Sequence, residues 1–376
     1  MDIEKRIIAF IRLGEVLRKF QVQKTHIKHQ PSIGRILKEA VTKASQKNGW
    51  FTEENVLLAI TSLGEMLKED KIRKWVSNYP HLTSHISHLT SVNVIMAGNI
   101  PLVGFHDFLC VLMSENIFVG KLSSEDEFLL PALADILTEM EPEFKEKIIF
   151  TDSVRRLKFE GRRSDSQHQP STVKHQTAVT AFIATGSNNS ARYFEYYFGK
   201  YPHIIRKNRN AIAILDGTET DEDFKNLGKD IFQYFGMGCR NVSKIYIPKD
   251  YNLDTFFAAM VDFGDVINHN KYYNNHIYYR TIYLLTKEKF LDNNFLMLKE
   301  EERIASPVAT LYYERYDTKD ELIKKIELKK ENIQCIVSHL TFHISHLTSL
   351  PFGQTQSPEL WDYADGVDTM EFLLSI

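Results

Sequence analysis

The sequence predicts an α/β protein in which parallel sheets carry helices on their faces, preceded by a helical N-terminal region. Apolar residues recur at helical spacing as far as about Tyr79. From Val92 onward, short β-branched runs alternate with helical segments, and two of these runs end at a glycine. Strand, turn, helix and strand in this order are typical of parallel sheets, whose ligands bind beyond the carboxyl ends of the strands.

Three helices are predicted in the N-terminal region. Residues 1–20 distribute isoleucine, valine, leucine and phenylalanine among charged residues at the spacing of an amphipathic helix. Residues 33–44 repeat this spacing, and Thr52 is a suitable N-cap for a helix over residues 53–69. The first helix does not have the form of a signal peptide, because no uninterrupted apolar stretch follows its basic residues.

Two α/β units are predicted to follow. The first has strands separated by helices, with ranges of 92–96, 117–122, 148–150 and 181–185 for the strands and 103–114, 125–139 and 191–198 for the helices. The second begins with a strand over residues 211–215, and its helix over residues 221–235 leads to Cys239 and a strand over residues 245–248. We therefore predict a domain boundary between Pro202 and Arg209.

Length and composition exclude several classes of function. A chain of 376 residues is long enough for two or three domains. Its net charge of -3 argues against a general nucleic-acid binder, because neutralising phosphates requires a basic surface. Three scattered cysteines do not make a disulfide framework, so we expect a reducing, cytoplasmic location. No stretch approaches the roughly 20 apolar residues of a membrane span.

Cys239 is the candidate nucleophile. Gly236 and Gly238 flank Met237 and permit a sharp turn that brings the thiol into a cleft with little crowding. A thiolate whose pKa is lowered by a helix dipole or a nearby cation attacks acyl carbons and is later a good leaving group. The alternative is a small thiol buried in the core.

Four motifs, in this order, resemble those of the aldehyde dehydrogenase superfamily. They occupy residues 94–101, 119–124, 184–187 and 238–244. Within the superfamily the sequence is most similar to the long-chain acyl-CoA reductase (LuxC) branch, and residues 351–354 and 361–366 resemble that branch's C-terminus.

This resemblance implies a domain organisation and a homo-oligomer. The fold would be aldehyde dehydrogenase-like, with a Rossmann-type cofactor domain and an α/β catalytic domain. Residues 1–205 would hold the helical N-terminal region and the dinucleotide-binding domain, and residues 206–335 the catalytic domain with the cysteine. Residues 336–376 would form a C-terminal segment that packs on the first domain or takes part in an oligomer contact.

The resemblance also implies roles for the residues of each motif. The side-chain amide of Asn99 and the backbone N–H of Cys239 would stabilise the oxyanion formed when the thiolate attacks a carbonyl. Gly186 and Ser187, which open a helix after a strand, would receive the pyrophosphate of a dinucleotide. Glu302 would hold the hydroxyls of the nicotinamide ribose.

Cofactor preference is predicted from the second motif. Lys121, Ser123 and Ser124 would contact the adenosine side of the cofactor. Many NAD-preferring members of the superfamily carry a carboxylate where Ser124 stands, and a carboxylate there would repel the additional phosphate of NADP. The serine implies NADPH, although Glu125 is the next residue.

A missing carboxylate indicates the type of reaction. Hydrolytic aldehyde dehydrogenases have a glutamate general base in a segment that corresponds here to residues 201–208, which contain no carboxylate. His203 is the candidate for a weaker base. The predicted reaction is therefore NADPH-dependent reduction of a fatty acyl-CoA to the aldehyde through a thioester on Cys239, with release of CoA. The alternatives within the superfamily are oxidation of an aldehyde and reduction of an acyl phosphate.

A repeat suggests a different class of function. Residues 81–91 recur as residues 339–349 with ten of eleven positions identical, and each copy contains three histidines. The copies could form adjacent edge strands or an assembly hairpin, gather imidazoles around a metal, or be an insertion without chemical importance. A non-catalytic, histidine-rich metal-binding or assembly protein is accordingly a further alternative, although we assign no metal site. Residues 161–175 are predicted to form an exposed loop.

Overall fold

The computed structural model describes residues 1–23, 31–83, 90–151, 180–340, 342, 344 and 347–376. The chain forms two compact units. The first unit comprises Met1–Lys207, Glu359–Tyr363 and Val367–Ile376, and the second comprises Asn208–Pro358 and Ala364–Gly366. The predicted α/β class and the helical N-terminal region are confirmed.

The described residues of the N-terminal region form the helices α1 (Ile3–Gln23), α2 (Pro31–Lys47), α3 (Glu53–Met66) and α4 (Glu69–Ser77). Thr52 caps α3 as predicted, because its hydroxyl oxygen accepts a hydrogen bond from the Asn55 N–H at 3.2 Å. Helices α1 and α3 cross closely where Gly14 faces Leu67, since a Cβ on Gly14 would lie 2.6 Å from the Leu67 Cβ. The apolar faces of these helices share one core with the first sheet.

The first unit contains a five-stranded parallel sheet with the order β3-β2-β1-β4-β5. Its strands are β1 (Ser91–Ile95), β2 (Ile117–Lys121), β3 (Ile148–Thr151), β4 (Thr180–Thr185) and β5 (His203–Arg206). Its helices are α5 (Phe105–Met113), α6 (Leu129–Met140) and α7 (Asn188–Phe198). From β1 the chain adds β2 and β3 on one side of the sheet and then β4 and β5 on the other side, so the strand order reverses between the neighbours β1 and β4. The loops after these two strands therefore flank the switch point at which such sheets bind ligands.

The second unit contains a seven-stranded sheet with the order β12-β11-β6-β7-β10-β9-β8, parallel except between β8 and β9. Its strands are β6 (Asn210–Ile214), β7 (Val242–Pro248), β8 (Leu291–Asp292), β9 (Met297–Glu300), β10 (Thr310–Tyr316), β11 (Ile333–Val337) and β12 (Thr348–Leu350). Its helices are α8 (Asp221–Phe232), α9 (Leu253–Ala259), α10 (Asn270–Leu285) and α11 (Lys319–Lys329). The predicted segment boundary after residue 335 falls inside β11.

The C-terminal segment adds helix α12 (Thr369–Leu374) to the first unit. In the residues that precede α12, the Tyr363 hydroxyl accepts a hydrogen bond from the Trp75 indole N–H of α4 at 2.7 Å. The Lys74 ammonium lies 3.9 Å from the ring centroid of Trp361. The motif at residues 361–366 thus contains aromatic residues that pack on α4.

Several predicted boundaries needed correction. The helix predicted over residues 221–235 ends at Phe232, because Tyr234 and Phe235 take left-handed backbone angles. The helix predicted to start at Glu125 starts at Leu129, because the preceding residues form a tight turn. Strand β5 was not predicted.

Adjacent edge strands, one of the alternatives for the repeat, are not formed by the described residues of its two copies, because these residues belong to different sheets. The last residue of the first copy, Ser91, begins β1, which is hydrogen-bonded on both sides. Thr348 and Ser349 of the second copy begin β12, an edge strand. His85, His88, His343 and His346 lie outside the described residues, as does the loop predicted over residues 161–175.

No helix in the described parts of the chain combines the length and the apolar composition that a bilayer crossing requires.

Candidate active site

Three predicted cofactor segments leave the first sheet at one edge. In the sheet register, Ile95 at the end of β1 pairs with Lys121 of β2 on one side and with Ala184 of β4 on the other. Neighbouring strands of a sheet lie about 4.7–4.9 Å apart. The loops that carry Asn99, Ser123 and Gly186 therefore start from three adjacent strand ends.

The loop after β1 contacts the loop after β2. Asn99 is half-buried in the first of these loops. A Cβ on its neighbour Gly98 would lie 2.5 Å from the Ser123 Oγ, so only glycine permits this contact. The Met96 N–H donates to the carbonyl oxygen of Lys121 at 3.1 Å. The packing thus fixes the Asn99 loop against the segment with the predicted adenosine contacts.

The second loop separates the roles of its two serines. The Ser123 Oγ accepts a hydrogen bond from the Glu125 N–H at 3.2 Å, and the Ser123 carbonyl accepts from the Asp126 N–H at 3.1 Å. Ser124 is exposed and Lys121 is half-buried. Ser123 therefore shapes the turn, while Ser124 presents its side chain to solvent at the strand end.

Asp126 connects these loops, and sequence reasoning missed it. Its buried carboxylate accepts a hydrogen bond at 2.9 Å from the backbone N–H of Leu102, a residue with a positive φ of 60°. Burial raises the pKa of Asp126 to about 6, against the opposing effect of the backbone N–H groups of Leu102 and Leu129. In the sequence Asp126 stands in a run of serines and acidic residues that gives no sign of burial.

Gly186 and Ser187 form the predicted turn between a strand and a helix. Ser187 is the N-cap of α7, since its hydroxyl oxygen accepts from the Ser190 N–H at 3.2 Å. A Cβ on Gly186 would lie 2.9 Å from the Ser190 Cβ, so the turn packs closely on the first turn of the helix. Ala191, where the superfamily commonly has a second glycine, is fully buried.

The structure does not favour His203 as a catalytic base. His203 is the first residue of β5 and pairs with Phe182 in the interior of β4, so it lies short of the carboxyl edge of the sheet. Its Nδ1 lies 2.8 Å from the carbonyl oxygen of Tyr201. Strand β5, at the edge of the sheet, makes up the middle of the segment 201–208, which contains no carboxylate.

Cys239 lies on a turn between α8 and β7. Gly236 has a φ of +74°, and Tyr234 and Phe235 before it have φ of 50° and 58°, so the chain reverses sharply after the helix. Cys239 is half-buried, whereas Cys110 and Cys335 are fully buried. The description of a packed core thiol therefore applies to the other two cysteines and not to Cys239.

Asn241 shapes this turn, and it too was missed. Its fully buried side chain accepts from the Gly238 N–H at 2.8 Å and donates to the carbonyl oxygens of Asp230 and Gln233, both at 2.9 Å. Those two carbonyls belong to the end of α8, where backbone acceptors lack partners within the helix. The amide of Asn241 thus joins the helix end to the residue before Cys239.

Glu302 lies in the segment between β9 and β10 of the second unit, and its side chain is exposed. The neighbouring Glu301 is different, because its carboxylate forms ion pairs with Lys299 at 3.1 Å and Arg303 at 2.7 Å. The hydrogen bond from Arg303 lowers the pKa of Glu301 to about 2. Glu301 is thus committed to protein partners.

Asp216, Glu219 and His339 bring metal-ligating atoms within 4.8 Å of one another. These atoms already have partners: the His339 Nε2 lies 3.1 Å from an Asp216 oxygen, and Glu219 accepts from the Asp216 N–H at 2.6 Å. The group follows the carboxyl ends of β6 and β11, whereas Cys239 precedes the amino end of β7. It therefore lies at the opposite edge of the second sheet from Cys239.

Comparison with solved structures establishes the class of fold. The chain is similar to aldehyde dehydrogenase 21 from Physcomitrella patens in complex with the reaction product succinate, at 12% identity and a TM-score of 0.65, covering 100% of this chain and 84% of that one. It is similar to the NAD+ complex of an aldehyde dehydrogenase from Bacillus cereus, at 12% identity and a TM-score of 0.58, covering 90% of this chain and 72% of that one. It is also similar to an NADP-dependent enzyme from E. coli, at 11% identity and a TM-score of 0.62, covering 90% of this chain and 73% of that one. The predicted aldehyde dehydrogenase-like fold is thereby confirmed.

The chain belongs to the acyl-CoA reductase (LuxC) family, whose profile matches residues 6–259. A comparison with curated proteins gave no match. The protein is thus an oxidoreductase of the acyl-CoA reductase type, and the resemblance drawn from the four motifs is confirmed.

Proposed function

We propose that this protein reduces a fatty acyl-CoA to the aldehyde through a thioester on Cys239, with NADPH as the hydride donor. The observation that carries the proposal is the half-buried Cys239 on its sharp turn, in a chain of the acyl-CoA reductase family whose other two cysteines are fully buried. The first unit would bind the dinucleotide and the second would supply the nucleophile.

The acyl transfer can be followed atom by atom. The Cys239 thiolate attacks the carbonyl carbon of the acyl-CoA, and the amide of Asn99 with the backbone N–H of Cys239 stabilises the oxyanion. The oxyanion collapses, the bond to the CoA sulfur breaks, and CoA leaves as a thiolate. The acyl group then remains on the Cys239 sulfur as a thioester.

When bound, NADPH would supply a hydride to the carbonyl carbon of this thioester, and release of the aldehyde would return Cys239 to its thiolate. Residues of the first unit fit such a ligand. Gly186 packs tightly on α7, and Ser187 caps that helix, whose N-terminal N–H groups suit a pyrophosphate. Lys121 and the exposed Ser124 follow β2, which β1 separates from β4 in the sheet, and Ser124 carries no charge that would repel an additional phosphate.

Thioester exchange is favoured over hydrolysis. A hydrolytic member of the superfamily would need a general base to activate water onto the thioester. The corresponding residues here are part of β5 and its flanks, contain no carboxylate, and place His203 at the amino end of the strand. This absence favours the reductase over the aldehyde-oxidising alternative.

Intact-mass spectrometry with long-chain acyl-CoA, in the absence of any nicotinamide cofactor, tests the proposal. We expect one acyl group per wild-type chain and one on Cys110→Ser, but none on Cys239→Ser. Acylation that survives in Cys239→Ser would contradict the assignment of the nucleophile. Homo-oligomerisation stays a prediction, which light scattering of the purified protein would measure.

A further inference from the structure

Two consecutive residues of β7 hold the segment that carries Glu302. The Ser243 hydroxyl donates to the carbonyl oxygen of Ile304 at 2.8 Å. The Lys244 ammonium donates to the carbonyl oxygens of Glu301 at 2.8 Å and Glu302 at 2.9 Å. Both side chains are buried, and they follow Cys239 by four and five residues.

A bulge in β7 explains how consecutive residues reach the same segment. The register with β6 pairs Ala211 with Val242 and then Ile212 with Lys244, so Ser243 is an additional residue on its strand. Consecutive side chains of a regular strand point to opposite faces, and a bulge re-aims one of them. The backbone of β7 is therefore irregular at the point where it contacts residues 301–304.

The burial of Lys244 is costly. No part of its side chain is exposed, and burial lowers its pKa to about 8 despite the hydrogen bond and charge of Glu314. Apolar residues commonly replace a buried ion pair without loss of stability, so stability alone does not account for a cation here. The bonds to two backbone carbonyls indicate that the cation fixes the course of the chain.

Glu302 is held by its main chain, while its side chain is uncommitted. Its carbonyl oxygen accepts from Lys244 and also from Lys329 at 2.6 Å, and its N–H donates to the Glu301 carboxylate at 3.0 Å. Among the described residues, its carboxylate has no hydrogen-bond or ion-pair partner. A fixed backbone with an exposed, unpaired carboxylate suits the binding of hydroxyl groups of a ligand.

We propose that Ser243 and Lys244 form a clamp, which attaches the segment with Glu302 to β7, the strand that follows the nucleophile. The ribose bound by Glu302 and the thioester on Cys239 would then keep a fixed separation. This inference rests on the proposed function. Both members of the clamp are positioning residues, since they touch the segment and not the reacting atoms.

Binding and kinetics of separate half-reactions test the clamp. Titration of the unacylated protein with NADPH should show affinity about 5-fold weaker in Ser243→Ala and about 10- to 100-fold weaker in Lys244→Met, from the loss of a neutral and a charge-assisted interaction. Acylation of Cys239 by acyl-CoA without cofactor should stay within about twofold of wild type in Ser243→Ala. Ser306→Ala is the matched control, because its hydroxyl bonds within the same connection to the Thr310 carbonyl and not to β7.

A double mutant separates positioning from a general structural role. If the clamp acts through Glu302, then adding Ser243→Ala to Glu302→Ala should weaken NADPH binding no further than Glu302→Ala does alone. Unchanged NADPH affinity in both Ser243→Ala and Lys244→Met would overturn the clamp, and so would additive losses in the double mutant. Ser243→Ala keeps the test decisive if Lys244→Met fails to fold. Failure of the wild type to become acylated would overturn the proposed function but not the clamp, since NADPH binding is measured without acyl-CoA.

Discussion

The geometry around Cys239 depends on the amide of a single neighbouring residue. Asn241 offers one acceptor and two donor sites, and all three have partners: the Gly238 N–H and the carbonyls of Asp230 and Gln233. These partners would otherwise be buried helix-end and turn groups without hydrogen bonds. The side chain therefore decides where the backbone places the thiol.

Asn241→Ala is expected to slow the acylation of Cys239 by at least about tenfold and to cost about 3 kcal/mol of unfolding free energy, because it leaves buried polar groups unpaired. Stopped-flow release of CoA and urea unfolding measure the two effects. Asn252→Ala removes an exposed N-cap bond to Asp254 on α9 and serves as control. It should cost about 1 kcal/mol and leave acylation unchanged. Equal acylation rates in the two variants would refute the role of Asn241.

Asp126→Asn is expected to stabilise the protein increasingly as the pH rises from 4 to 7. The folded pKa of about 6 lies above the ordinary 3.8, so the stabilising proton is fully bound below about pH 4 and is lost as the pH rises through 6. The amide keeps an acceptor for the Leu102 N–H without the buried charge, which predicts a gain of about 2–3 kcal/mol at neutral pH. Thermal unfolding across this pH range measures it, with the exposed Asp135→Asn on α6 as control. A constant difference between Asp126→Asn and wild type at all pH values would contradict the assignment.

Ser124→Asp is expected to reduce the preference for NADPH over NADH by at least about tenfold, because the new carboxylate would repel the additional phosphate. The ratio of kcat/KM values for the two cofactors measures the change. Glu125→Gln is the informative partner, since Glu125 is the adjacent exposed carboxylate. If Glu125→Gln shifted the preference and Ser124→Asp did not, Glu125 would be the discriminating position.

At the scale of elements, strand β5 is joined to two helices by a buried ion pair. The Arg206 guanidinium donates to both oxygens of Asp107 on α5, at 2.6 and 2.9 Å, and to the Thr369 hydroxyl on α12 at 2.9 Å. All three residues are buried. The pair ties the edge of the first sheet to α5 and to the C-terminal helix.

Arg206→Ala is expected to cost about 3–5 kcal/mol of unfolding free energy, because it leaves the Asp107 carboxylate buried without its partner. Replacing both residues, as Arg206→Met with Asp107→Leu, should recover much of this loss. Lys207→Ala is the adjacent control, since its ion pair with Glu195 is exposed and should contribute less than about 1 kcal/mol. Denaturant titrations of the four proteins measure these differences, and equal losses in Arg206→Ala and Lys207→Ala would be inconsistent with the buried pair.

Short apolar, β-branched runs made most strands of the two sheets up to Pro248 predictable. Strands β1, β2, β4, β6 and β7 are largely buried, so their runs are apolar and stand out from the helical spacing around them. Strand β5 is four residues long, has charged or polar ends, and follows Pro202, which made it resemble a connection. Its place in the sheet depends on pairing with β4, which no local pattern reveals.

The candidate site was predictable where local turns carry it and not where distant partners do. Cys239, Gly186 and Ser187 are marked by glycines and by a strand followed by a helix. Asn241 bonds to carbonyls eight and eleven residues earlier, and Lys244 to carbonyls more than fifty residues later. No spacing in the sequence connects such pairs.

At the scale of the whole molecule, the C-terminal segment completes the first unit. Residues 359–363 and 367–376 pack with the first unit although the preceding residues belong to the second. Leu360, Met370 and Leu373 are buried in the core that the N-terminal helices share with the first sheet. The first core is therefore assembled from both ends of the chain, and Trp361 and Tyr363 of the motif at residues 361–366 pack against it.

The central claim is that one thioester on Cys239 receives the hydride, and the most direct test uses isolated acyl-enzyme. Protein acylated by long-chain acyl-CoA and freed of excess CoA is mixed with NADPH carrying deuterium at the transferred position. The account predicts one aldehyde per acylated chain, with one deuterium on its carbonyl carbon and Cys239 returned to its free mass. Acyl-enzyme that keeps its acyl group, or that releases a fatty acid instead of the aldehyde, would contradict the account.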